Sequence, residues 1–244
     1  MITVVIPTSV LPSHPSTAVI DETIGCIRTH LPDAEIILQI DGLRDEQKDR
    51  IDDYNKYKDN VLWKCLHEWT NVLPVVFDKH SHQSNMLRET IDLIKTPLML
   101  YVEGDAPLTP DRPIDWKKCI DFIMDGQANT IRFHHENVLP REHEGLMIGG
   151  PENGFRKTYQ WSQRPHLSTV RYYKDVVLPT LRSTYFIEDI FHGIVMNDWH
   201  DDGKLGWYKH RLWIYYPANG IQRSYTTDGR AGGLKFTSDD EVGI

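Results

Sequence analysis

The 244-residue sequence predicts an α/β fold: one domain with a mixed, mostly parallel central sheet flanked by helices. Three observations predict it. Short runs of β-branched and aliphatic residues alternate with stretches whose apolar residues recur at helical spacing. Prolines and Asp-Gly pairs punctuate the boundaries between them. The strand-like runs end in polar and acidic residues, at the edge where open α/β sheets gather their ligands.

Residues 2–6 form a β-branched run stopped by Pro7, the pattern of a buried parallel strand. A loop rich in proline and serine follows over 9–16. Ile20, Ile24, Ile27 and Leu31 then mark one face of a helix that ends at Pro32-Asp33. Residues 35–40 read as a second strand, closed by Asp41-Gly42, and 46–57 as a charged helix. Residues 72–77 read as a third strand, which Pro74 confines to an edge. From Asn85 onward, Met86, Leu87, Thr90, Ile91 and Ile94 give an apolar helix face. Pro97 breaks that helix, and residues 98–102 form a hydrophobic strand ending in Glu103-Gly104-Asp105. The alternation implies right-handed crossovers. Beyond it, 115–125 and 187–199 read as helices, and 130–134, 169–173 and 212–216 as strands. No repeat or linker divides the chain. It is expected to be a single domain over 1–244, in which 1–110 binds the ligand and 111–244 adds a second wall and a C-terminal loop.

The formal net charge of -8 and pI near 5.8 exclude a protein that coats nucleic acid non-specifically. Basic residues thicken toward the C-terminus at Lys204, Lys209, Arg211, Arg223, Arg230 and Lys235, as a solvated face or a phosphate-facing segment. Cys26, Cys65 and Cys119 are too far apart for a zinc knuckle or a disulfide framework. With no signal-peptide pattern at the start and no apolar run long enough to span a bilayer, a cytoplasmic protein without membrane insertion is expected.

Neither GxGxxG nor GxxxxGK[ST] follows the first strand, so neither a dinucleotide fold nor a P-loop is predicted. Glu103 and Asp105, bent toward one cleft by Gly104, are hard oxygen donors suited to Mn²⁺ or Mg²⁺ alongside phosphate oxygens. A plain acidic turn is the alternative.

Segments 3–8 (TVVIPT), 37–42 (ILQIDG), 85–90 (NMLRET) and 96–105 (TPLMLYVEGD) resemble, in order and spacing, the nucleotide-binding half of family 2-like GT-A glycosyltransferases. The resemblance covers about the first half of the chain. It implies a GT-A (Rossmann-like) fold, Thr8 and Ser9 lining a nucleotide pocket, and Asp41 hydrogen-bonding the base, usually uracil. It also implies Arg88 near the nucleotide and a DXD-like metal site at Glu103 and Asp105. The family prefers aspartate at the first of these positions, so ribose contact is as open to Glu103 as metal ligation.

Residues 186–190 (FIEDI) resemble the Glu-Asp motif that carries the base in inverting members. This implies Asp189 as proton acceptor, with Glu188 in reserve and His192 one turn on; the alternative is that acids simply favour a helix start. Arg223, Arg230 and Lys235, among glycines, suit a loop folding over phosphates, or a plain terminus. His210, and behind it His200, are candidates for a third metal ligand. His134, His135, Glu136 and His143 lack zinc spacing and are expected in a polar surface loop. Trp161 is a candidate acceptor contact.

The expected activity is metal-dependent, inverting transfer from a nucleotide-sugar donor, UDP-sugar favoured. The acceptor is open among glycan, small molecule, protein and hydroxymethylated DNA base, the last disfavoured by net charge. The alternatives are a nucleotidyltransferase that makes nucleotide sugars and a non-catalytic nucleotide- or sugar-binding module.

Overall fold

A computed structural model describes residues 1–181 and 186–227. β1 (Ile2–Thr8), β2 (Glu35–Ile40), β3 (Val72–Val76) and β4 (Leu98–Tyr101) pair in parallel in the order β3-β2-β1-β4. Every residue of β1 and β4 is buried, which is why their runs are apolar on both faces. β3 lies at the edge with Pro74 in it, as the sequence predicts.

The sheet continues through β8 (His166–Thr169), β5 (Thr130–Arg132), β9 (Leu212–Tyr215), β7 (Phe155–Thr158) and β6 (Met147–Glu152). β8 is antiparallel to both β4 and β5, so β5 runs the same way as β4, and β9 is parallel to β5. The carboxyl ends of β1, β2, β4, β5 and β9 therefore share one edge.

Helices cover both faces. On one, α1 (Ala18–His30), α2 (Ile51–His67) and α4 (Trp116–Met124) pack Ile24, Ile27, Tyr54, Tyr57, Val61 and Cys119 against Val4, Ile6 and Leu100. On the other, Leu87 of α3 (His82–Thr90) and Ile187, Phe191 and Val195 of α5 (Ile187–Asp202) meet Val5, Met99 and Tyr101. Each such fully buried side chain contributes about 2 kcal/mol of transfer free energy. The short α6 (Lys204–His210) returns along α5.

Two expectations need correction, and one element was not expected. The helix foreseen over 46–57 is a 3-10 segment, Asp45–Arg50, followed by α2, which runs on to His67. Only Tyr54, Tyr57 and Val61 of α2 are buried, so the apolar periodicity beyond Tyr57 is thin. The strand foreseen over 169–173 lies earlier, at β8. Thr169 Oγ1 accepts the Tyr172 N–H at 3.0 Å and caps a helical turn there. The β6–β7 hairpin was not foreseen, although Asn153-Gly154 turns it with φ of 50° and 76°, the signature of a tight hairpin turn.

Candidate functional site

The chain leaves β1 for β2 and β3 on one side, then crosses to β4 on the other, so the strand order reverses at β1. A cleft of about 340 Å³ opens there, at the carboxyl ends of β1, β2 and β4, where open α/β sheets bind ligands. Pro7, Thr8 and Ser9 come from β1, Asp41 and Gly42 from β2, and Glu103, Gly104 and Asp105 from β4.

The acidic triplet is held from three sides. Gly104 donates its N–H to Pro7 O at 3.0 Å, Thr23 Oγ1 of α1 donates to Gly104 O at 2.7 Å, and Thr227 donates to Asp105 O through N (2.8 Å) and Oγ1 (3.1 Å). A side chain at Gly104 would press to 3.3 Å of Pro7 O, so glycine is what lets the turn lie against β1. Burial, the like charge of Asp105 and, more weakly, that of Glu188 push the Glu103 carboxyl up to about 8, against a Gln83 amide that donates to it. Among the described residues, no group of three or more His, Cys, Asp or Glu converges to hold a metal. Two carboxylates facing a diphosphate-sized cleft nevertheless fit Mg²⁺ or Mn²⁺, which take one or two protein oxygens and complete their shell with phosphate and water.

The opposite wall is aromatic. The His14 ring stacks on Tyr57 at 3.7 Å and lies 5.4 Å from Tyr54, and burial, with Arg50 nearby, lowers it to about 4, leaving it neutral. Thr8 Oγ1 meets Tyr57 OH at 3.3 Å. Phe186, just before α5, lines the mouth edge-on to His82 at 4.6 Å.

No protein-family model matches the chain, and no curated protein does. Solved structures do. TarS of S. aureus matches with a TM-score of 0.51 at 14% identity, over 92% of this chain and 36% of TarS. The mannosyltransferase PcManGT of Pyrobaculum calidifontis, solved with GDP-Man and Mn²⁺, matches at 0.53 and 10% identity, over 89% of this chain and 55% of that one. UDP-glucose pyrophosphorylase matches at 0.52 and 12% identity, over 96% of both chains. The fold is GT-A.

The chain thus spans just over a third of TarS and just over half of PcManGT. Within its GT-A fold, Thr8, Ser9, Asp41, Glu103 and Asp105 share the one cleft. Glu188 and Asp189 open α5 nearby: the charge of Glu188 acts on Glu103, and that of exposed Asp189 on His82. Glu188 Oε2 also accepts the Gln163 N–H at 2.8 Å.

Other expected site residues are engaged elsewhere. Asp41 does line the cleft, but its carboxylate is occupied: Oδ1 accepts Gly42 N (2.8 Å) and Ser81 N (2.7 Å), while Oδ2 accepts His82 N (3.1 Å) and lies 2.8 Å from His80 Nδ1. It secures a wall instead of offering a vacant oxygen to a base. Arg88 is exposed and donates to the carbonyls of Leu178 and Leu181. Arg223 is buried over Tyr215, its guanidinium spent on Pro113 O, Gly220 O, Gln222 O and Asn219 Oδ1, so it faces no phosphate. His210 is buried with Nδ1 on Tyr172 OH and Nε2 on Asp198, both at 2.8 Å. Asp198 lies nine residues, about 14 Å, along α5 from Asp189, so His210 is no partner for Asp105; exposed His200 lies farther still. Arg230 and Lys235 lie outside the described residues.

His134 is fully buried, not in a surface loop: its Nε2 lies 2.8 Å from Glu136 and its Nδ1 2.9 Å from Arg164 Nη1. Trp161 is 2% exposed, packed against His166, Tyr173 and Phe191, and so is core. Sequence reasoning missed His80, His82, Gln83 and Phe186, all of which line the cleft. Only Phe186, next to the Glu-Asp pair, carried a local signal.

Proposed function

We propose that this chain transfers a sugar from a nucleoside diphosphate donor to an acceptor hydroxyl, with inversion and with Mn²⁺ or Mg²⁺. The observation that carries the reading is the convergence of the Glu103-Gly104-Asp105 turn with Thr8 and Ser9 on one cleft at the switch point of a GT-A fold. Glu103 and Asp105 would hold the divalent ion at the cleft. When bound, that ion offsets the charge growing on the leaving group. Thr8, Ser9 and the ring of Tyr57 line the nucleotide, and the base edge meets His80, Arg44 and Gln47, which share that wall with the occupied Asp41.

Asp189 takes the proton of the acceptor hydroxyl as its oxygen bonds to the anomeric carbon. The bond from that carbon to the diphosphate oxygen breaks, and its electron pair stays on the departing nucleotide. Glu188, tied to Gln163, positions the loop beside this centre. UDP-sugar is the first donor to test.

The near end-to-end match with UDP-glucose pyrophosphorylase favours one second reading, a nucleotidyltransferase. The loop after β1, 9–16, contains no glycine and no lysine or arginine, where that chemistry needs a donor-rich turn for a triphosphate.

Thermal shift with UDP and GDP, with and without Mn²⁺, tests the site. A Mn²⁺-dependent rise that is absent in Asp105→Ala is expected, and equal shifts in both proteins overturn it. Nucleotide release from a nucleotide sugar separates the readings, because a nucleotidyltransferase consumes pyrophosphate and a transferase releases UDP or GDP.

A further inference from the structure

Arg132 ends β5, and the sheet register fixes its place. Tyr101 of β4 pairs with His166 of β8, which pairs with Arg132. Directly paired residues share a face, so Arg132 stands on the Tyr101 face, two strand spacings or about 10 Å from it. Glu103 lies two residues beyond Tyr101 toward the cleft edge. Glu188 stands between them electrostatically, its charge acting on both Glu103 and Arg132.

Arg132 is 4% exposed. Of its five N–H donors, one on Nη2 reaches Gln160 Oε1 at 3.1 Å, and the Nε–H is buried without a partner. No carboxylate among the described residues lies within ion-pair distance of it. Its neighbour Arg164 is matched by Glu136 through both terminal nitrogens, and Glu188 Oε2 is taken by Gln163 N. A buried cation without a hydrogen-bonded anion is among the most costly features a fold can carry. A guanidinium is also the side chain best shaped for planar, two-pronged capture of phosphate or carboxylate.

We propose that Arg132 anchors an anionic group, phosphate or carboxylate, on the acceptor molecule, displacing the half-buried Gln160 as it binds. That the ligand is an acceptor rests on the transferase reading; that an anion binds does not. An acceptor hydroxyl placed at the start of α5 has Glu103 and the diphosphate on one side. On the other is a fixed positive charge that selects acceptors with a matching anion and orients the hydroxyl toward the anomeric carbon.

The test uses the full chain labelled with ¹⁵N-arginine, with UDP and Mg²⁺ saturating so that the donor cleft is filled. The Nε–H resonance of Arg132 is assigned by its absence in Arg132→Lys. Inorganic phosphate and acetate are titrated separately against chloride at matched ionic strength. The expected result is a saturable shift of that resonance with phosphate, with acetate or with both, and none with chloride; which anion moves it names the acceptor group. In Arg132→Lys, calorimetry should show phosphate or acetate binding at least about tenfold weaker, because an ammonium lacks the two-pronged fork, with UDP affinity unchanged to within about twofold. A resonance unmoved by both anions, or equal anion affinity in the variant, overturns the proposal. Failure of UDP to bind the wild-type chain sinks the donor reading instead, and leaves the anion result to be read by itself.

Discussion

The carboxylate of Asp41 holds His82 in a left-handed backbone conformation. Oδ2 accepts the His82 N–H at 3.1 Å, Oδ1 accepts the preceding Ser81 N–H at 2.7 Å, and His82 sits at φ 65°. Non-glycine residues avoid that region unless the surroundings impose it. The result is an imidazole that lines the cleft, with a buried Nδ1 that has no partner, within reach of the charge of Asp189.

Asp41→Ala strands three backbone N–H groups at once. Losing hydrogen bonds to a buried carboxylate costs about 2 kcal/mol apiece, so a loss of about 3 kcal/mol or more is expected from urea denaturation, after partial rescue by water. Asp41→Asn retains one acceptor oxygen and should lose about half as much. Equal stability of Asp41→Ala and wild type contradicts the clamp.

Substitutions at His82 separate backbone strain from side-chain chemistry. His82→Gly relieves the positive φ and should match or exceed wild-type stability. His82→Ala keeps the strain and loses the ring packing against Phe186, at a cost of about 1 kcal/mol or more. All should slow donor turnover, with His82→Asn slowed least, because asparagine tolerates this conformation and places a polar atom near the Nδ1 position. Steady-state kinetics beside melting curves reads both effects.

Asp189→Asn should lower transfer or donor hydrolysis by about 10²–10⁴-fold while UDP binding stays intact, the range for removal of a positioned general base. If Glu188→Gln proves the more damaging of the two, with Gln163 still in place, the roles assigned here are reversed.

Buried histidines set an acid limit. His14, His134 and His166 are held neutral near 4 by burial, against about 6.5 in the unfolded chain. Between those values the unfolded chain binds more protons, so stability is full above pH 6.5 and is lost as pH falls toward 4. Each contributes up to about 3 kcal/mol of that loss at pH 4. His166 is the sharpest case: its Nδ1 is fixed on Arg164 O at 2.7 Å and its Nε2 on Tyr173 OH at 2.6 Å. Replacing His166 with Gln should flatten the pH–stability curve between 6.5 and 4, and an unchanged slope counts against the assignment.

Arg223→Ala should weaken the fold, not nucleotide binding. Its four hydrogen bonds knit the loop after β9 to Pro113, and stranding their acceptors costs about 3 kcal/mol or more. UDP titration of the surviving folded protein should give wild-type affinity.

The four parallel strands of the first half and the acidic triplet were legible because their signals are local: apolar runs, prolines, and polar residues where the runs stop. The clamp was not. His82 is a lone histidine in the sequence, and it acquires a role only through the hydrogen bond its N–H donates to Asp41, 41 positions away. Arg223 misled for the same reason, since a basic residue among glycines looks phosphate-facing until Tyr215 and four oxygens surround it. The Asn153-Gly154 hairpin was a different case, a local signal present in the chain and passed over. Glu103 and Asp105 could be placed at a strand end from the sequence, but only the sheet order sets Thr8 beside them and Arg132 two strands beyond.

Thr227 tethers the chain to the Asp105 carbonyl, whereas Met1 enters at the far end of β1, about 23 Å away along seven strand residues. A change that loosens Thr227 therefore acts on the Asp105 backbone directly, whereas one at the start of β1 must travel the length of that strand to reach the same turn.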